Sequence, residues 1–344
     1  MLFRSPLQKL QFKPGVNRDQ TNYTNEGGWY ECDKIRFRSG YPQKIGGWLR
    51  YGTFTLIGVC RQMFNWITTL SDNYLAMGTS KKVYLEAGTE VYDITPLQHT
   101  STTLGAAAGP FTATSSSSVL SVSYSTDTAY DPEVGNYVSF SGASGLGGNI
   151  TSLVLNAEFG YEILTVNTAT HVYTIDVGVN ANGSDTGHGG ATVTAEYDID
   201  IGYDTVTYGY GWGAGTWGRG TWGSGSVSPV VLPQRDWFFD NFDNDLVMNI
   251  RKGPIYYWQR TLGITTRATL LSTTTIDGVA PADVPDDATQ ILMAQNNKHL
   301  LAFGCTPYGG GTFDPLLIRW ATQDQPNVWT PLATNSAEIG RAHV

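Results

Sequence analysis

The sequence predicts an all-β protein: β-propeller-like blades with an inserted small β-sandwich or barrel domain. Three observations lead there. Charged residues make up only 15% of the 344, while 40 glycines and a 12% share of aromatics suit turns and pleated surfaces. Apolar strand, polar turn and apolar strand recur along the chain. Between them lies a long acidic stretch rich in Ser, Thr and Gly, with no lysine or arginine from Val83 to Trp217.

The recurring units come in order. Asn73 to Gly88 reads as a hairpin followed by a short strand at Glu90 to Pro96. Asn244 to Gln259 is a second hairpin that turns at Arg251 to Pro254, and Lys298 to Gly304 with Asp314 to Ala321 is a third. Leu75, Leu246 and Leu300 hold equivalent places, the last two 54 residues apart, which is close to the period of propeller blades. A plain meander or sandwich is the alternative, because short apolar strands recur in any all-β chain.

Composition divides the chain into an N-terminal arm (1–50), a first propeller-like portion (51–98), an inserted β-domain (99–204), a Gly/Trp-rich connector (205–230) and a second propeller-like portion (231–337). In the insertion, strands are expected at Val119–Ser123, Tyr137–Phe140, Ile150–Leu155, Tyr161–Val166, Val172–Asp176 and Thr192–Ile199, separated by Ser/Gly/Asn clusters. Residues 338–344, EIGRAHV, read as the in-frame translation of a sequencing adaptor. They are set aside from the fold, on the reading that this is a fragment of an environmental gene cut short of further blades.

The connector holds GxGxxG twice, at Gly213-Gly215-Gly218 and Gly218-Gly220-Gly223, but SVSPVVLP follows it and cannot start the helix a dinucleotide site needs. Trp212, Trp217 and Trp222 are expected to anchor this loop on neighbouring surfaces, since Arg219 alone supplies no electrostatic track for nucleic acid. No catalytic residue, cofactor site or metal site is expected. His99, His171, His188 and His299 lack a second ligand at metal spacing, and neither a nucleophile elbow nor a Walker motif occurs. The acidic run Asp240 to Leu246 reads as an Asx-rich turn, although Asp240 and Asp243 are the carboxylates a glycosidase reading would choose. Cys32, Cys60 and Cys305 read as buried thiols in a reducing compartment. No apolar run is long enough to span a membrane, and the N-terminus shows no signal-peptide pattern.

Two motifs remain. Thr322 to Trp329 approximates an Asp-box, with Thr322, Asp324 and Trp329 in place and Pro326 where the glycine belongs; it is a folding device. In the arm, Lys34, Arg36 and Arg38 alternate so that a strand would present all three on one face, and Trp29 and Trp48 each follow paired glycines. These five are candidate contacts with a partner or a neighbouring subunit, against the plainer reading of a solvated strand face. The first fifty residues carry a charge of +5, which leaves −14 of the total −9 for the rest.

The segments GGWYECDKIRFRSGYPQKIGGW, TFTLIGVCRQMFNW, DWFFDNFDNDLVMNIRKGPIYYWQ and DPLLIRWATQDQPNVWTPLATNSA together resemble tail hub or nozzle proteins of short-tailed phages, including the packaged-DNA stabilisation family. The resemblance implies a non-enzymatic virion subunit in a hexameric ring, assembled in the host cytoplasm. It would extend the portal, meet adaptor and tail-fibre or needle proteins, and channel packaged DNA without reading its sequence. The alternative is a carbohydrate-binding or carbohydrate-active propeller of a virion or cell surface.

Overall fold

The computed structural model describes residues 13–342 except 20, 48, 51, 103, 105–108, 125–129, 203–234 and 297. The chain divides into two units, Met1–Thr53 and Phe54–Val344. In the first, β1 (Ile35–Arg38) and β2 (Tyr41–Lys44) form an antiparallel hairpin. Its two-residue loop has Ser39 at φ 51° and Gly40 at φ 83°, the paired positive dihedrals that match strand twist.

Among its described residues, the second unit is nearly all-β. Its first sheet is a four-stranded antiparallel meander of β3 (Cys60–Ile67), β4 (Asn73–Thr79), β5 (Val83–Ala87) and β6 (Glu90–Asp93). The chain then enters an eight-stranded sheet made of β7 (Leu97–Ser101), β8 (Phe111–Ala113), β9 (Val119–Ser123), β10 (Tyr137–Ser141), β11 (Tyr161–Asn167), β12 (Val172–Asp176), β13 (Asp185–His188) and β14 (Thr194–Asp198). The spatial order is β13-β8-β9-β12-β11-β10-β14-β7, so the first and last strands of the insertion pair and return the chain to where it left. Phe111 of β8 and Phe140 of β10 touch edge to face at 5.0 Å although three strands separate them in the sheet. The sheet therefore curls around its own core, with Val138, Ile163, Tyr173 and Ile175 fully buried inside.

Ile150–Leu155, expected as a strand, is instead a loop running into a four-residue helix, α1 (Ser152–Leu155). Thr151 decides this: its hydroxyl accepts the Val154 N–H at the helix start.

Two further meanders follow. β15 (Trp237–Phe242), β16 (Asp245–Ile250), β17 (Ile255–Trp258) and β18 (Thr269–Leu270) form one; β19 (Ala288–Ala294), β20 (His299–Cys305), β21 (Asp314–Trp320) and β22 (Glu338–Arg341) form the other. β22 lies in the stretch set aside on sequence. Its backbone pairs with β21 from Leu317↔Arg341 to Trp320↔Glu338, a ladder that makes few demands on mostly exposed side chains.

The three four-stranded sheets stack face to face. One core lies between the first and second, built from Tyr74, Ala76 and Leu85 against Leu246, Met248 and Trp258. The next lies between the second and third, with Val247, Ile255 and Tyr257 against Ile291, Leu300 and Ala302. Alternation along β16 sends Leu246 to one core and Val247 to the other, so the middle sheet is apolar on both faces. Leu246 and Leu300 each face the preceding sheet. Leu75 faces the corresponding side of the first, where Phe54, Leu56 and Ile57 cover Met77, Tyr84 and Val91. Gly78 makes one close approach possible: a Cβ there would lie 2.4 Å from the Trp237 ring.

Trp258 is fully buried, edge to face with Trp66 and Tyr74, and its indole N–H reaches the Thr266 carbonyl at 3.1 Å. Trp258→Ala should lower stability by about 3–5 kcal/mol, read as a shifted urea midpoint with an unchanged slope.

Candidate functional site

Among the residues singled out in sequence, the arm behaves in part as the alternation predicts. Arg36 and Arg38 share the exposed face of β1, and Arg36 donates to the Gln43 side chain at 3.1 Å. Ile35 and Phe37 occupy the opposite, half-buried face, with Trp29 edge to face on Phe37 at 6.0 Å. Lys34 precedes the strand at φ 57°, and its carbonyl accepts the Ile45 N–H, closing the hairpin. It is exposed but is not part of the arginine strand. Trp48, Trp212, Trp217 and Trp222 lie outside the described residues.

The Asp-box-like turn joins β21 to β22. Asp324 sits at φ 58°, the Thr322 hydroxyl accepts from Ser336 N at 3.1 Å, and the buried Trp329 donates its indole N–H to the Pro326 carbonyl at 2.7 Å. Beneath it Arg319, 1% exposed, lies 5.9 Å from the Trp329 ring centre. It binds the Thr306 carbonyl and both the carbonyl and carboxylate of Asp283. Proline is tolerated at the motif's glycine position because the turn is closed by Thr322 and Val328 through their backbones at 2.8 Å.

The carboxylates a glycosidase would use are engaged in the fold. Asp240 accepts the Met293 N–H of β19 at 2.7 Å and thus ties the second sheet to the third. Asp243, at φ 50°, holds Lys298 at 2.9 Å, and Lys298 also reaches Asp324 at 3.4 Å. The His299 ring lies 2.8 Å from the Ala321 carbonyl, while His99 stacks on Tyr130 at 4.9 Å. Among the described residues, no group of three or more His, Cys, Asp or Glu side chains is placed to hold a metal.

The cysteines differ from expectation. Cys305 is buried, and burial pushes its thiol up to about 11, whereas Cys32 is half-buried and Cys60 exposed. Cys60 is the exposed first residue of β3, a placement that the spacing of three isolated cysteines does not show.

The strongest polar constellation is one that motif reading missed. Lys82, in the turn between β4 and β5, is fully buried between Asp93 at 2.7 Å and Asp198 at 2.5 Å. Arg267, just before β18, meets the same two carboxylates at 2.5 and 3.5 Å. The Thr95 hydroxyl donates to Asp93 at 2.6 Å, and the Lys82 ammonium lies 5.1 Å from the Tyr137 ring centre. Two cations and two anions thus balance where the first sheet, the end of the insertion and the second sheet meet. Burial pushes Asp93 up, but Lys82 and Arg267 outweigh it and hold the group below the usual carboxylate range. At Asp198 burial prevails over Lys82, Asp93 adds repulsion, and the carboxyl is pushed up to about 6.

No family model matches the chain, and no curated protein matches it. Among solved structures, a phage phi92 endosialidase is similar over 83% of this chain and 36% of its own length, at 12% identity and a TM-score of 0.22. At that score the likeness carries no argument about activity.

Two outcomes check this site. Asp93 contributes stability that is lost as pH falls below about 4. Asp198 binds its proton more readily folded than unfolded, so its contribution falls as pH rises from about 4 to about 6. Asp198→Asn should abolish the fall across that upper window in urea melts taken at successive pH values. With iodoacetamide, native protein should leave Cys305 unmodified, and denaturant should expose it; mass spectrometry distinguishes the sites.

Proposed function

We propose that the chain is a non-enzymatic structural protein of a phage virion, a ring-forming hub or nozzle of the tail that extends the portal and channels or retains packaged DNA. The observation that carries this reading is the use the fold makes of its reactive side chains. Asp240, Asp243, His299 and the buried quartet around Lys82 each hold a backbone group or a neighbouring sheet, and Asp324 shares Lys298 with Asp243. A stack of four-stranded meanders fixed in this way suits the rigid, propeller-type body that such a role needs.

The charge distribution fits the same role. A body carrying most of the negative charge repels the phosphate backbone, so DNA passes without sticking and without being read. The exposed Arg36 and Arg38, in the separate N-terminal unit, suit an acidic patch on a portal or adaptor subunit. Other copies of the chain and fibre or needle proteins complete the set of partners. The virion tail is the final location, with assembly in the host cytoplasm.

Mixed with its portal and adaptor partners, the chain should co-sediment as a complex, and Arg36→Glu with Arg38→Glu should weaken binding by about tenfold or more. A wild-type chain that sediments apart from those partners would sink the proposal.

A further inference from the structure

Lys82 and Asp198 bring an amine and a carboxyl into contact where water is excluded. The Lys82 Nζ lies 2.5 Å from Asp198 Oδ2, and each side chain is 1% exposed. Both backbones are pinned. The Lys82 N–H donates to the Thr79 hydroxyl at 2.8 Å, and the Lys82 carbonyl accepts the Thr79 N–H at 2.8 Å. Asp198 ends β14, paired with Leu97 of β7. Two groups confined in this way react as parts of one molecule, at effective concentrations on the order of 10⁵ M or more when well oriented.

The other two members of the quartet are placed to assist. Asp93 turns Oδ1 to the Thr95 hydroxyl and N–H at 2.6 and 3.0 Å and to Arg267 at 2.5 Å. Its Oδ2 is left facing the Lys82 Nζ at 2.7 Å, within reach of a proton. Arg267 also stands 3.5 Å from Asp198 Oδ1, a buried oxygen that accepts no hydrogen bond among the described residues. A cation beside an otherwise unsatisfied oxygen is poised to stabilise negative charge that develops there.

We infer that Lys82 and Asp198 condense to an isopeptide bond, Nζ to Cγ, which staples the turn between β4 and β5 to the last strand of the insertion. A proton first passes from Nζ to Oδ2 across their contact, leaving a neutral amine and a neutral carboxyl. The amine lone pair attacks Cγ, and Arg267 stabilises the charge gathering on Oδ1. Asp93 takes one proton from the nitrogen now bonded to carbon. It returns that proton to Oδ2 as the Cγ–Oδ2 bond breaks, and water leaves. One hydrogen stays on the amide, nothing is oxidised or reduced, and Asp93 ends as the anion it began. Burial, the largest influence on Asp198, favours the neutral acid that the attack requires. Two interior charges disappear, and Asp93 keeps Arg267 as its partner. Against burial, Lys82 and Arg267 hold Asp93 as an anion. So weak a base makes the step slower than folding, and the ion pair with its pH dependence belongs to the chain before it reacts. The bond joins positions 116 apart, so the insertion could not be pulled from the stack without breaking it. This inference goes beyond the virion reading and does not depend on it.

The test follows the intact mass of the full chain, held folded near pH 6, where Asp198 is partly protonated, and sampled over days. The mass should fall by one water. Trypsin should then no longer cut after Lys82. Because no lysine or arginine lies between Val83 and Trp217, Lys82 and Asp198 should appear in one looped peptide. A second protease that cuts inside the loop should leave its two pieces joined. The same chain kept unfolded in urea should retain its full mass, and Asp93→Asn, which keeps both reacting groups, should lose water more slowly than wild type. Folded wild type that retains its full mass overturns the inference. So does water lost equally fast in urea, or lost only at Asp277-Gly278, where an aspartate can close a ring on the next backbone nitrogen without Lys82.

Discussion

The fold turns on one buried charge balance. Lys82 lies between Asp93 and Asp198, and Arg267 closes the group from a third segment. Each ion removed from water carries a penalty of several kcal/mol, and only close, mutually satisfied geometry offsets it. The pairing therefore exists only when the first sheet, the end of the insertion and the approach to β18 are all in place. Losing any one member leaves an uncompensated charge in the interior, at about 3–5 kcal/mol. A hydrophobic contact tolerates a shift of register, and this one does not. It fixes how an insertion of about a hundred residues returns to the stack.

Around that fixed point, period-two alternation does the rest. Because successive residues of β16 face opposite cores, the second sheet can be covered on both sides. Apolar filling alone would let such faces slide. Polar pins set the register instead: the Trp66 indole N–H to the Asn244 carbonyl at 3.2 Å, and the Trp237 indole N–H to the Thr79 carbonyl at 2.9 Å. Each leaves no buried donor unmet and holds only at one relative placement of two sheets.

Much of this architecture was legible in the sequence where apolar residues dominate. The hairpins at Asn73–Gly88 and Asn244–Gln259 read clearly, and Leu75, Leu246 and Leu300 do occupy matching places. The first strand of each sheet was harder to see. β3 carries polar and apolar residues on both faces, and β15 ends in the acidic run that reads as a turn. The buried quartet left no local trace. Its members are spread from Lys82 to Arg267, and a lysine in a polar turn reads as solvated. Only the return of the insertion to the first sheet brings them together. In the arm, a left-handed residue at Lys34 broke the alternation after it had placed Arg36 and Arg38 correctly.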